Sequence, residues 1–204
     1  MLEIQDLSLA EQVRAVKREF RLMMNGITSQ SMREMGLTYR TNFGVELPRL
    51  KAFSEELPHT TALAAALWKE QVRECRLLAP MLMPSENFEE DMADLWVEQM
   101  NFIEEAECAV MYLFQKLPYA SSKAFEWVSR EEVMHQLCGW QLFGRLFAKG
   151  AKLSPRDNEE WCDQVEAALK SEHYSIRQAA YRALLKYMSL GEEEEQFGAH
   201  ILEA

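Results

Sequence analysis

The side chains in this 204-residue chain that could do chemistry fall into three groups. Glu132-Val133-Met134-His135 has the Glu-x-x-His spacing that puts a carboxylate and an imidazole on one helix face, as a di-iron bundle requires. Such a centre needs a second copy and two further glutamates. The other copy, Glu56 to His59, contains Pro58 at a helix break, so no metal is expected, and His135 reads as a groove-lining or neutral core histidine. Glu104, Glu105 and Glu107 share one helical turn. They form either an exposed acidic face or a cluster that repels phosphate unless one member is paired or protonated. Arg73, Arg76, Arg177 and Arg182 recur at matching places in their helices. They either stack guanidinium groups along one groove for phosphate contact or pair inside the fold with Glu70, Glu74 or the Glu104 cluster.

Other chemistries find no support. Cys75, Cys108, Cys138 and Cys162 lie far apart, without the C-x-x-C spacing of a zinc site, and read as reduced, buried residues. Gly-rich phosphate loops and nucleophile elbows are missing from the sequence, and no cofactor is expected.

The elements that must position these residues are helices. A Leu/Trp pair, a polar step and an Arg-containing apolar helix recur in full or in part: Leu67-Trp68 before Arg73 and Arg76, Leu95-Trp96 before Ile103 and Ala106, Glu126-Trp127 before His135 and Trp140, and Ala168-Leu169 before Ile176 and Arg177. Irregular, partial copies of a helix-turn-helix unit are the trace of a HEAT-type solenoid, where each pair buries its apolar face against its neighbours. Ser8 to Glu11 has the form of a capping box, opening a helix that Asn25-Gly26 should end near Met24. A short helix is predicted near 31–35, another opening at Val45 to Pro48, and further ones at about 60–70, 72–82, 87–99, 101–116, 122–130, 132–148, 157–171, 173–189 and 192–202. The expected fold is all-α: an α-α superhelix of antiparallel pairs in one domain spanning 1–204, with function on the concave face.

With no long apolar run and no basic-then-apolar start in Met1 to Asp6, a cytoplasmic protein without membrane contact is expected. The net charge of −11 weighs against any nucleic-acid partner, since affinity for phosphate rests on Lys and Arg. That charge is uneven: Pro58 to Lys116 holds eleven Asp/Glu against four Lys/Arg, and the stretch from Gly191 holds five Glu. The Glu192 to Glu195 run reads as the solvated start of a last helix, with acid at the positive end of its dipole.

Several passages together resemble the AlkD-like DNA alkylation repair family. They are Asn42-Phe43-Gly44-Val45-x-Leu47-Pro48-x-Leu50, Ala66-Leu67-Trp68 with Arg73-Glu74-x-Arg76-Leu77-Leu78-Ala79, Trp96-Val97-Glu98, Lys123-Ala124-Phe125-Glu126-Trp127 and Ser175-Ile176-Arg177-Gln178-Ala179. The resemblance implies a helical-repeat glycosylase that removes cationic alkylated purines from duplex DNA. The family's functional Trp and the Asp four residues later fall on Ile103 and Glu107. Its Arg falls at or beside Gln136, next to His135, and its late Trp near Arg182.

The resemblance makes Glu107 the catalytic carboxylate and puts Gln136, with His135 beside it, at the family's Arg; together with the recurring Arg73, Arg76, Arg177 and Arg182 these form the expected DNA-binding set. Cleavage at an already cationic purine needs little acid catalysis, so the carboxylate's task is to stabilise an oxocarbenium-like transition state. Glu for Asp moves that charge by a methylene, which implies weak excision. The alternative is a catalytically inactive relative, an acidic scaffold for a basic protein or peptide.

Overall fold

The computed structural model describes residues 4–203. Met1, Leu2 and Glu3, part of the start read above for a leader, lie outside them. Among the described residues the regular secondary structure is all helical, apart from a single parallel bridge between Thr41 and Val72. No described helix is long and apolar enough to cross a membrane. The chain divides into two compact units, up to Phe88 and from Glu89 onward.

Unit 1 holds α1 (Leu9–Leu22), α2 (Gly26–Glu34), α3 (Leu47–Ser54), α4 (Thr61–Trp68) and α5 (Arg73–Leu82). Helix α5 is its axis, packed by α3 and α4, with α1 on α4. Every residue of α5 is buried. Pro80 sits inside it although proline removes a helix hydrogen bond, because burial on all sides holds the helix through its last turn. Helix α1 turns Val13, Val16 and Phe20 inward and begins at the expected capping box, the Glu11 carboxylate accepting the Ser8 backbone N–H at 3.0 Å. Asn25-Gly26 departs from expectation. Helix α1 has already ended at Leu22, and Asn25 instead caps α2, its Oδ1 accepting from the Thr28 N–H at 3.1 Å.

Unit 2 holds α6 (Glu90–Glu98), α7 (Ile103–Tyr112), α8 (Ala120–Val128), α9 (Val133–Ala148), α10 (Pro155–Leu169), α11 (Tyr174–Met188) and α12 (Glu192–Glu203). Here α9 is central: α8 and α11 pack on it most extensively, α7 and α6 less so, while α10 and α12 pack on α11. Its core is aromatic, with Trp140, Phe143, Phe147, Trp161 and Tyr187 in mutual contact and the Trp161–Tyr187 centroids 4.4 Å apart. Each such buried ring contributes roughly 1.5–3 kcal/mol. All four cysteines are buried and unbonded to one another.

Candidate functional site

The recurring Leu/Trp-to-Arg pattern is a joint between the two helices of a pair. Helix α4 ends at Trp68, leaving carbonyls without helical partners. Arg76, eight residues on, donates from Nη1 to the Trp68 carbonyl at 2.8 Å, and its guanidinium lies 3.8 Å from the centroid of the Trp68 ring. The same register recurs twice in unit 2. His135 follows Trp127 by eight residues and packs edge-on to that ring at 6.5 Å. Arg177 follows Leu169 by eight and donates to the Ser171 and Glu172 carbonyls, at 2.6 and 3.0 Å, beyond the end of α10.

The Asn42 to Leu50 passage is likewise built inward. Glu74, fully buried, accepts the Phe43 and Val45 N–H groups at 3.2 Å each and pairs with Arg73 at 3.3 Å. Arg73 also donates to the Val45 carbonyl at 3.0 Å. Gly44 has φ +71°, and a Cβ there would stand 2.2 Å from the Asn25 carbonyl oxygen. Arg73 and Arg76 are thus 3% and 6% exposed, and their guanidinium groups hold unit 1 together from inside.

In unit 2, Trp127 Nε1 and Lys123 Nζ of α8 donate to the Asp94 carboxylate of α6 at 2.7 and 2.8 Å. Glu126 accepts from Lys123 and Arg130. Burial raises the Asp94 carboxyl, but the hydrogen bonds from Lys123 and Trp127 outweigh it and leave the pKa below the usual carboxylate range. His135 is buried among the neighbours of this network. Its Nδ1 makes no hydrogen bond and stands 4.0 Å from the Glu132 carboxylate, while Nε2 faces Arg130 Nη1 at 3.5 Å. Desolvation, with Arg130 alongside, holds it below the ordinary imidazole pKa, neutral at pH 7. Gln136 donates to the Arg130 carbonyl at 2.8 Å.

Glu107 and Arg182 are placed differently. Both are exposed, on α7 and α11, two of the helices that pack on α9. Glu107 sits between Ile103 and Met111 on one face of α7, both partly open to solvent at 45% and 39%. Helix α11 presents Tyr181, 40% exposed, beside Arg182, and Leu185 a turn later. Although Glu107 is open to solvent, the surrounding protein desolvates its carboxyl and lifts the pKa above the usual value. Arg182 opposes that shift and Glu104 adds to it. The neighbouring Glu105, by contrast, is buried and accepts the Asn101 N–H at 2.8 Å, closing the first turn of α7.

The structure therefore brings Glu107 and Arg182 within electrostatic reach of one another. His135, Gln136 and Arg177 it assigns to helix ends. Sequence reading passed over Tyr181 and the half-buried Gln141 of α9, whose Oε1 makes no hydrogen bond. The available signal was a polar or aromatic residue on an otherwise apolar helix face: Gln141 interrupts the run from Leu137 to Phe143. Among the described residues no group of three or more His, Cys, Asp or Glu could hold a metal ion.

Helices paired in sequence and joined end to carbonyl define a helical-repeat protein. The chain is similar to a solved structure from a new family of proteins related to the HEAT-like repeat DNA glycosylases with affinity for branched DNA structures. The TM-score is 0.82 at 15% identity, covering 93% of this chain and 81% of that one, a likeness that shows the HEAT-like fold. Residues 16–196 match the model of the DNA alkylation repair enzyme family, and the chain belongs to that family. No curated protein matches it by sequence.

Proposed function

We propose that the protein binds DNA and removes cationic alkylpurines from it slowly, with Glu107 as the carboxylate that stabilises the sugar cation. The observation that carries this reading is Glu107 standing open to solvent between Ile103 and Met111 on α7, with Arg182 open on α11. In this reaction the C1′–N bond breaks, the purine leaves with the bonding electrons as a neutral base, and water adds to C1′ with loss of a proton. A fixed negative charge beside the sugar lowers the barrier without itself taking up a proton. Arg182 supplies a phosphate contact, and Ile103, Met111 and Tyr181 supply apolar walls for the deoxyribose. With Ile103 where the family's aromatic wall falls and Glu107 where its shorter carboxylate falls, slow turnover is the expected consequence.

The test follows release of 7-methylguanine and 3-methyladenine from methylated duplex at low salt, with Glu107→Gln in parallel. Slow release that disappears in the variant while binding persists is the expected result. Binding without any release would remove the catalytic half of the proposal and leave a DNA-binding protein.

A second reading is favoured by charge. From Glu89 onward there are twenty-two Asp/Glu against eleven Lys/Arg, whereas the chain before it balances at eleven each. A scaffold for a basic protein or peptide fits that asymmetry. Tight binding of a polylysine peptide, with none of any DNA at low ionic strength, would decide for it.

A further inference from the structure

The turn joining α1 to α2 exposes apolar side chains that no packing explains. Leu22 is 73% exposed, Met24 62%, Ile27 85% and, at the far end of α2, Met35 72%. The surroundings are basic: between Arg14 and Arg40 six Lys/Arg face two Glu, in a chain of net charge −11. Arg14, Arg18 and Arg21 lie on the same exposed face of α1 that ends in Leu22. Arg18 and Arg21 have no carboxylate partner among the described residues, and Arg33 is fixed on α2 by hydrogen bonds to Ser29.

This turn is held firmly. The Asn25 N–H donates to the Phe43 carbonyl at 2.9 Å, the Ser29 hydroxyl donates to the Asn42 carbonyl at 2.9 Å, and the Gly44 backbone passes too close to Asn25 for any side chain. The passage from Asn42 to Val45, itself anchored by Glu74, is thus a buttress under an apolar tip.

We propose that this tip is a wedge that enters an opened base step in DNA, at a branch point or bulge, while the flanking arginines hold the phosphates on either side. The proposal rests on the reading that the protein binds DNA. Apolar side chains inserted between bases gain contact with the ring faces, but uniform duplex must first be unstacked, at a few kcal/mol per step. At an interruption the duplex has lost continuous stacking on one side, so the step there opens at lower cost and the wedge favours it. A rigid mount matters because a mobile tip would lose its ordering entropy on insertion. A lipid surface fits less well. Membrane-surface helices bury a continuous apolar face, whereas α1 spends that face, Val13, Val16 and Phe20, on the core of unit 1 and shows solvent a row of arginines.

The experiment measures fluorescence anisotropy of the full chain on a duplex and on a four-way junction of the same sequence. A 2-aminopurine beside the branch point reports unstacking. The variant combines Leu22→Ser, Met24→Ser and Ile27→Ser, all exposed positions, and its thermal melt confirms folding. Wild type should prefer the junction and brighten the probe. The variant should bind the junction about tenfold more weakly without brightening, and bind duplex within about twofold of wild type. Arg18→Glu with Arg21→Glu should weaken both substrates and flatten the salt dependence. A serine variant that matches wild type on the junction overturns the wedge alone. Tip-dependent binding to phosphatidylglycerol vesicles, with DNA binding unchanged, overturns it in favour of a membrane. Wild type that binds no DNA overturns the wedge together with the DNA-binding reading beneath it.

Discussion

Arg76 satisfies the carbonyl of Trp68 and covers the ring of the same residue, joining the end of one helix to the body of the next. Because His135 and Arg177 occupy the same register after Trp127 and Leu169, the motif that recurs along the chain serves repeat packing. Arginines that look in sequence like a phosphate-binding series are in this respect structural.

Arg76→Lys tests that assignment. Lysine keeps the charge but neither stacks as a plane nor fills the guanidinium's place, so a loss of about 1–3 kcal/mol is expected in denaturant unfolding. DNA affinity, measured by titration at low salt, should stay within about twofold of wild type.

Glu107→Gln separates stability from activity. A carboxyl whose folded pKa is raised destabilises the native state while ionised, and that cost is relieved as pH falls through the folded pKa. The glutamine variant should therefore be slightly more stable than wild type at pH 7, within about 0.5 kcal/mol for an exposed site. That advantage should fade on acidification in melts across pH. Base release by wild type should fall on acidification at higher pH than an ordinary glutamate would dictate.

His135 gives the opposite pH signature to Glu107. Its folded pKa is lowered, so the unfolded chain binds a proton that the native state resists. Stability should be full above about 6.5, the unfolded value, and decline as pH falls from there toward the folded pKa. Denaturant midpoints at pH 7.5 and 5.5 should show a smaller drop for His135→Gln than for wild type.

Gly44→Ala strikes both backbone and packing, since φ is +71° and the new methyl meets the Asn25 carbonyl. A loss of about 2 kcal/mol or more is expected from the melt, because neither the left-handed conformation nor the contact can relax cheaply. If the buttress positions the tip, junction preference should fall even below the unfolding temperature.

Asp94→Asn removes the charge that Lys123 and the Trp127 indole share. Lys123 is only 5% exposed, but Glu126 still holds its ammonium, so about 2 kcal/mol should be lost rather than the full cost of a buried unpaired ion. Since the folded Asp94 pKa is depressed, its contribution is present above the unfolded value of about 4 and disappears as pH falls through the folded pKa. Wild type and variant should converge in acid.

The helices, their order and the paired repeat were legible in the chain, because amphipathic spacing and capping act over a few residues. The Ser8–Glu11 box and the boundaries of α5 and α9 follow directly from local pattern. Asn25 was misplaced because an Asn-Gly pair can end one helix or begin the next, and only the Phe43 carbonyl, eighteen residues away, fixes its role. The fate of the charged residues was not legible at all. Arg73, Arg76, Arg177 and Arg182 differ little in local sequence, yet two are buried, one ties off a helix end and one stands open near Glu107. Burial and desolvation depend on which distant helices pack against a residue, and that is a property of the tertiary fold. Sequence alone determined a helical-repeat chain with a particular set of ionisable groups; packing decided which of those groups remain available for chemistry.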